Sequence, residues 1–286
     1  MSDNLLKIRR RLSSVTATRK ITNAMELVSS SKLTKKRRML ENVVDYAKMV
    51  EAICLECLKS VSEEEEENFP LLLTHPNSSK TLYVVITSSL GLCGGYNFNL
   101  IKYLNSILKE GDEVVMIGTK GLKKIEVDNV GIDKSFLDIS DKFTFNKVQK
   151  LEQKLSEVYT NGEYNKVTLV YTAYKNALTF IPTSFSLLPF IPQKDENYQI
   201  DYPPIFCPNS NEVFSLLIPK YLDSVLYEKI AEALVSEEAS RRNAMENATD
   251  NADELIDELQ ITYNKARQAS ITSQITEIVS GRLEED

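Results

Sequence analysis

Between Leu5 and Lys59 the chain has no glycine or proline, and apolar residues return at alternating steps of three and four. Leu5, Ile8, Leu12 and Val15 make one run, and Ile21, Met25 and Val28 a second. Met39, Val43, Tyr46, Val50, Ile53 and Cys57 make a third. This spacing predicts one long helix with a narrow apolar seam, roughly 80 Å long at about 1.5 Å per residue. The other end behaves alike. After Pro219 no glycine or proline appears until Gly281, and Leu222, Val225 and Ala233, then Ala248, Ala252, Leu255, Leu259, Thr262 and Ala266, keep the same step. Neither seam is stable in water, so the two terminal helices are expected to wind around each other antiparallel, with the alanines of the second allowing close approach.

In the middle the period changes. Residues 81–87 (TLYVVIT), 113–119 (EVVMIGT) and 166–174 (KVTLVYTAY) predict strands, the first two with nearly continuous apolar cores. Residues 99–108, 120–126 and 146–159 fit helices between them, so the order is βαβα and the expectation a small open α/β sheet. Residues 180–190 add an edge strand, because Pro182 and Pro189 cannot serve the centre of a ladder. The acidic run Glu63 to Glu67 is placed in a solvated loop leaving the first helix, since anions are disfavoured at a helix carboxy end. Residues 192–211, with four prolines, form the linker back to the terminal helix.

Charge sharpens this picture. The net charge of -7 conceals an asymmetry: residues 1–60 hold thirteen Lys and Arg against six Asp and Glu, and residues 221–286 hold six against fifteen. The ends therefore attract each other. The basic arm lacks interleaved aromatics on which bases would stack, so no nucleic acid partner is expected. At 42% hydrophobic and 26% charged residues the composition is that of a folded, water-soluble protein. No stretch approaches the roughly 18–20 apolar residues of a bilayer crossing, and direct bilayer insertion is not expected. Four cysteines in 286 residues make no disulfide framework and fit a reducing, cytoplasmic-type compartment.

Candidate chemistry is sparse. Cys54 and Cys57 form a C-x-x-C, but inside a helical pattern and with His75 as the chain's one histidine, so helix packing is favoured over a redox or zinc role. The loop from Ser88 to Asn97 follows a strand and opens a helix, where phosphates bind in α/β sheets. It has neither G-x-G-x-x-G nor G-K-[ST], and a tight glycine turn is the better reading. Cys93 has no base partner unless His75 reaches it. Asp250, Asp253, Glu254, Asp257 and Glu258 are spaced like a solvated helix face. No cofactor or metal is expected.

Three stretches carry a resemblance that covers the whole chain. The first is Ile8-Arg9-Arg10-Arg11-Leu12-Ser13-Ser14-Val15 with the run from Thr18 through Met25 to Lys32; the second is Gly91-Leu92-Cys93-Gly94-Gly95-Tyr96-Asn97. The third is Ser240-Arg241-Arg242-Asn243-Ala244-Met245 with the run from Arg267 to Gly281. Together they resemble the gamma subunits of F-type rotary ATP synthases. That resemblance implies a long antiparallel coiled coil of the terminal helices, residues 1–62 and 212–286, around a central Rossmann-like open α/β domain, residues 78–205.

It further implies a non-catalytic rotor shaft that couples rotation to conformational changes at catalytic beta subunits. Expected partners are the alpha and beta subunits, epsilon and the membrane c-ring, at the cytoplasmic face of the cell membrane. Lys20, Met25, Lys32, Arg267 and Gln268 would face the ring, with Ile271, Thr272, Ile275, Glu277 and Ile278 at the tip. Gly91, Leu92, Cys93, Gly94, Gly95 and Asn97 would form a loop of the foot domain. Gln274 stands where the family signature has Glu, Arg282 where it has Ala, and Ser89-Leu90 where Asp-Arg is usual. Gamma subunits are also usually basic. An alternative with the same architecture is a gamma-like rotor of a specialised motor driving other machinery.

Overall fold

The computed structural model describes residues 2–59, 69–76, 78–122, 124–190 and 205–283. The acidic run 63–67 and most of the expected linker, residues 192–204, lie outside them. Helix α1 spans Ser2–Lys59. Strand β1 (Thr81–Ile86), helix α2 (Tyr96–Ile107), strand β2 (Glu113–Ile117) and strand β3 (Gly131–Asp133) follow. A 3-10 turn (Leu137–Ile139), helix α3 (Phe145–Thr160), strands β4 (Lys166–Tyr174) and β5 (Phe180–Leu188) and helix α4 (Ser210–Leu283) complete the chain. Helix α4 starts before Pro219 because Asn209 caps it: the Asn209 Oδ1 accepts the Glu212 N–H at 2.9 Å, and the Asn209 amide reaches back to the Glu212 carboxylate at 3.0 Å.

The sheet order is β3-β2-β1-β4-β5, parallel except for β5, which runs antiparallel along the edge of β4. Pro182 pairs with Thr172 on that edge strand, as the prolines require. Alternation along β1 sends its side chains to two cores. Tyr83 and Val85 pack beneath Leu100, Ile101 and Leu104 of α2. Leu82, Val84 and Ile86 face Leu151 and Leu155 of α3, with Val50 and Cys54 of α1 and Leu222 and Leu226 of α4 in the same core.

Two expectations change. Among the described residues of 120–126 there is no helix: 120–122 form a turn and 124–126 have no regular structure. Gly118 takes φ +82°, with the Thr87 carbonyl 2.1 Å from where a Cβ would stand, and so ends β2 against β1. The Lys120 N–H then donates to the Ser88 carbonyl, fastening the turn. Strand β3 and the 3-10 turn, each three residues long, were not expected.

The chain divides into two compact units, Met1–Ser30 with Arg241–Asp286, and Ser31–Ser240. In the first, Arg19 forks onto Asp253 (Nε–Oδ1 2.9 Å, Nη2–Oδ2 3.1 Å), and the Thr22 and Thr249 hydroxyls meet at 2.8 Å, which fixes an antiparallel pairing of α1 and α4. In the second, Lys36 pairs with Glu238 at 3.0 Å and the Tyr227 hydroxyl meets Met39 Sδ at 3.7 Å, again antiparallel. The basic and acidic helices thus meet through specific ion pairs.

The seam differs from its apolar reading. The inward positions of α1 are Leu5, Ile8, Leu12 and Val15, then Arg19, Thr22, Glu26 and Ser29, then Leu33, Lys36, Leu40 and Val43, and last Ala47, Val50, Cys54 and Cys57. This is an unbroken three-four step. Ile21 and Val28 are 60% and 55% exposed, whereas Thr22 and Ser29 are 9% and 2%. Tyr46 and Ile53 also point outward, so the second apolar run lies one position off the true seam, while the third has Val43, Val50 and Cys57 on it and Tyr46 and Ile53 one position off. In α4 the inward step runs through Met245, Thr249, Ala252, Ile256, Leu259, Tyr263 and Ala266, leaving Leu255 and Thr262 exposed. Phase is set by continuity of the helix pair, and polar residues occupy it where small or forked side chains satisfy one another.

Candidate functional site: a closed glycine loop on the carboxy-terminal helix

The loop after β1 closes on itself. Asn97, in the first turn of α2, accepts the Ser88 N–H on Oδ1 at 3.0 Å and donates from Nδ2 to Ser88 Oγ at 2.7 Å and Cys93 Sγ at 3.2 Å. Ser88 Oγ in turn donates to the Leu90 carbonyl at 2.7 Å. The turn needs left-handed backbone at Leu92 (φ 63°) and Gly94 (φ 55°), which explains a glycine at the second position and leaves the leucine strained. The Tyr96 N–H is taken by the Cys93 carbonyl. A loop filled by its own side chains, with these N–H groups engaged, is a turn and not a phosphate cradle.

Two bonds tie this loop to α4. The Ser240 hydroxyl donates to the Cys93 carbonyl at 2.8 Å, and the Tyr96 hydroxyl to the Ala233 carbonyl at 3.2 Å. Ser88, Tyr96 and Ser240 were not singled out individually as site residues, although Tyr96 and Ser240 stand in the motifs that carry the resemblance. Leu90 is exposed and lines a groove of about 710 Å³ with Lys32, Lys35, Met39, Phe143 and Leu234. Ser89 Oγ meets Ser140 Oγ at 2.6 Å on the same side. The Ser89-Leu90 departure therefore lies beside Lys32.

The remaining candidate chemistry is not brought together. His75 packs on the Tyr159 ring, while Cys93 Sγ lies among Ser88 and Asn97, so no Cys–His pair forms. Cys54 and Cys57 are fully buried in the core; burial first, then the neighbouring Cys57 and Glu51, pushes the Cys54 thiol up to about 12, and burial raises Cys57 as well. Thiols held neutral in this way are packing groups and not redox or metal sites. Among the described residues no cluster of three or more His, Cys, Asp or Glu could hold a metal.

The predicted ring-facing residues fall in several places. Lys20, Lys32, Arg267, Gln268, Ile271, Thr272 and Ile275 are exposed, and Met25 is half-buried at the edge of the seam. The side chains of Glu277, Ile278 and Arg282 lie outside the described residues, and Gln274 is exposed. Lys20 and Met25 share one compact unit with Arg267 to Ile275, whereas Lys32 and the glycine loop belong to the other. No helix among the described residues is long and apolar enough to cross a membrane.

Paired long helices carrying outward apolar residues, with an α/β sheet locked to one helix by a closed loop, define a shaft-and-domain protein. The ATP synthase family profile matches residues 4–282. The ATP synthase gamma chain of Alkaliphilus metalliredigens is 39% identical over 292 residues, covering 98% of each chain. That of Mycoplasma capricolum subsp. capricolum is 36% identical over 281 residues, covering 97% of this chain and 98% of the other. The rotor of the Euglena gracilis mitochondrial ATP synthase in rotational state 1 has the same fold, with a TM-score of 0.63 at 17% identity over 95% of this chain and 100% of that one. The chain belongs to the ATP synthase gamma chain family. It is a central-stalk subunit and not itself the catalytic one, and a specialised motor driving other machinery is not favoured.

Proposed function

We propose that the chain is the rotating shaft of a membrane ATP synthase, peripheral to the bilayer on the cytoplasmic face of the cell membrane. Its helical pair turns within a ring of alpha and beta subunits and presses each beta subunit in turn through its binding states. The α/β domain, residues 78–205, is the foot that meets epsilon and the c-ring. Lys20, Met25, Lys32, Arg267 and Gln268 face the ring, and Ile271, Thr272, Ile275, Glu277 and Ile278 form the tip.

The observation that carries this reading is the exposure of Ile21, Leu27, Val28, Ile261, Ile271 and Ile275 on the helical pair. Large apolar side chains turned outward on an element whose own seam holds Thr22, Ser29 and Thr249 fit a surface that works against protein. Gentle purification of the tagged chain from its native cells in detergent, with mass spectrometry of what accompanies it, tests the reading. Alpha, beta, epsilon and ring subunits together support it. A catalytic head without ring subunits refutes the foot assignment, and absence of the head from a preparation in which it is otherwise intact refutes the shaft.

A further inference from the structure

The sheet order sets β1 beside β4, with β2 on the other side of β1. The chain reverses direction across the sheet between these two strands, and the crevice at their carboxy ends is where doubly wound sheets take their ligands. Helix α4 is fastened across that crevice. The Tyr96 hydroxyl, at the start of α2, stands between the Ile86 carbonyl that ends β1 (3.5 Å) and the Ala233 carbonyl of α4 (3.2 Å). Strand β4 runs on past Val170, its last residue paired with β1, and there the Tyr174 N–H donates to Glu232 Oε1 at 3.0 Å. Ser240 Oγ donates to the Cys93 carbonyl in the loop after β1 at 2.8 Å. Lys229 braces the carboxylate: its Nζ is 4.0 Å from Glu232 Oε2, 2.7 Å from Glu228 Oε1 and 5.4 Å from the centre of the Phe185 ring on β5.

The bonded positions of α4 run from Glu232 to Ser240, about 12 Å along the helix. They end on different parts of the sheet domain: the end of β4, the start of α2 and the loop after β1. Beneath them the contact is apolar, with Ile230, Ala233 and Leu234 in one core with Val167, Leu169 and Tyr171 of β4. Apolar packing resists separation but has no preferred direction. Hydrogen bonds at separated points do have one, and so resist rotation and sliding of the helix as well. We propose that Tyr96, Glu232 and Ser240 are positioning residues that make the ligand crevice of the sheet a mechanical joint, and that this joint transmits turning load between α4 and the sheet domain. The inference rests on the reading of the chain as a shaft. An opened joint lets α4 turn against the sheet domain under load, so ATP is hydrolysed without matching movement of the foot. The Cys93 carbonyl also takes the Tyr96 N–H, so loss of the Ser240 hydroxyl loosens the joint and leaves the loop its own closure.

Two measurements test this. Hydrogen exchange of the full-length chain at residues 88–97 and 229–240 reads the bonds themselves. Tyr96→Phe and Ser240→Ala should each lower protection there about two- to tenfold, since each removes one neutral bond. Glu232→Ala, which strands the Tyr174 N–H, should lower it at residues 171–180 by at least as much. Unchanged protection in these variants overturns the proposal whatever the chain assembles with.

Ions moved per ATP hydrolysed, in membrane vesicles holding the assembled complex, read the joint under load, and this ratio does not depend on how much complex assembles. Tyr96→Phe with Ser240→Ala should lower the ratio about twofold or more, as opening rises with the loss of both bonds. The single variants should lower it less, and they are read in the same way if the double variant does not assemble. Tyr159→Phe is the control: it removes a fully buried tyrosine's hydroxyl, which donates to the Leu73 carbonyl at 2.7 Å and so joins α3 to residues 69–76 and not to α4. It should keep the wild-type ratio. A wild-type ratio in the joint variants, or an equal fall in Tyr159→Phe, overturns the proposal. Absence of the catalytic head from the wild-type preparation refutes the shaft and with it the transmission of load, while the exchange measurement still reports whether the bonds hold α4 to the sheet domain.

Discussion

Replacing Asn97 with alanine isolates what the glycine loop depends on. The asparagine side chain accepts one buried backbone N–H and donates to a hydroxyl and a thiol. Truncation leaves the Ser88 N–H without its acceptor and Ser88 Oγ without its incoming donor, although that hydroxyl keeps its own bond to the Leu90 carbonyl. An unsatisfied buried donor costs about 1–3 kcal/mol, and the contact to sulfur adds little. A loss of about 2 kcal/mol is therefore expected, which corresponds to a roughly thirtyfold fall in local protection. Hydrogen exchange at residues 88–99 and at Ser240 is the assay, because it reads local opening and does not assume one transition for a chain of two units. Asn97→Asp supplies the contrast. It keeps an acceptor for the Ser88 N–H but brings a charge next to Ser88 Oγ, Cys93 Sγ and the Leu90 carbonyl, so it should be worse than alanine at neutral pH and recover on acidification. An alanine variant within about 0.5 kcal/mol of wild type, the range of neutral surface changes, would refute the claim that this side chain closes the loop.

Arg267→Ala with Gln268→Ala should lower ATP turnover of the assembled complex while leaving the chain folded, since exposed contacts cost little stability; unchanged turnover in a complete assembly would remove both from the contact surface. Leu255→Pro should break α4 by about 3 kcal/mol or more despite the exposure of Leu255, because the ring opposes the Asn251 carbonyl; normal helicity by circular dichroism and normal assembly would contradict a continuous helix there. In native thiol titration near pH 8, Cys207 should react fast and Cys54 and Cys57 only on unfolding, since the one is exposed and burial keeps the others neutral; fast reaction of Cys54 would reopen the C-x-x-C as a chemical site.

Much of the fold was legible because its signals are local. Strands β1, β2 and β4 announce themselves as apolar runs bounded by polar turns, and α1 and α4 by the long absence of glycine and proline. What was illegible depends on distance or on brevity. Strand β3 has three residues, too few for any period. The bonds from Ser240 to Cys93 and from Tyr96 to Ala233 join positions more than a hundred residues apart, and nothing near either end signals the other. Residues 120–126 show the reverse error: a helical composition overridden because β2 ends in a left-handed glycine pressed against Thr87.

The seam is the most instructive case. Following apolar residues alone chose Ile21 and Val28, yet the heptad begun at Leu5 continues through Arg19, Thr22 and Ser29. A pattern scored on hydrophobicity fails where a helix pair places polar groups inside, and here they are satisfied: Arg19 by Asp253, Thr22 by Thr249 and the Arg19 carbonyl. Such contacts add little stability, because the Arg19–Asp253 pair is nearly half exposed on both sides. They define register instead, since a forked pair and two meeting hydroxyls each fit one alignment of the helices and not its neighbours. The outward turn of Ile21 and Val28 then has a cause in the same phase. Moving Thr22 and Ser29 to the outside and these two inside would make a better isolated coil and a poorer working surface. The arrangement makes sense for a helix pair whose outer face is covered by other protein.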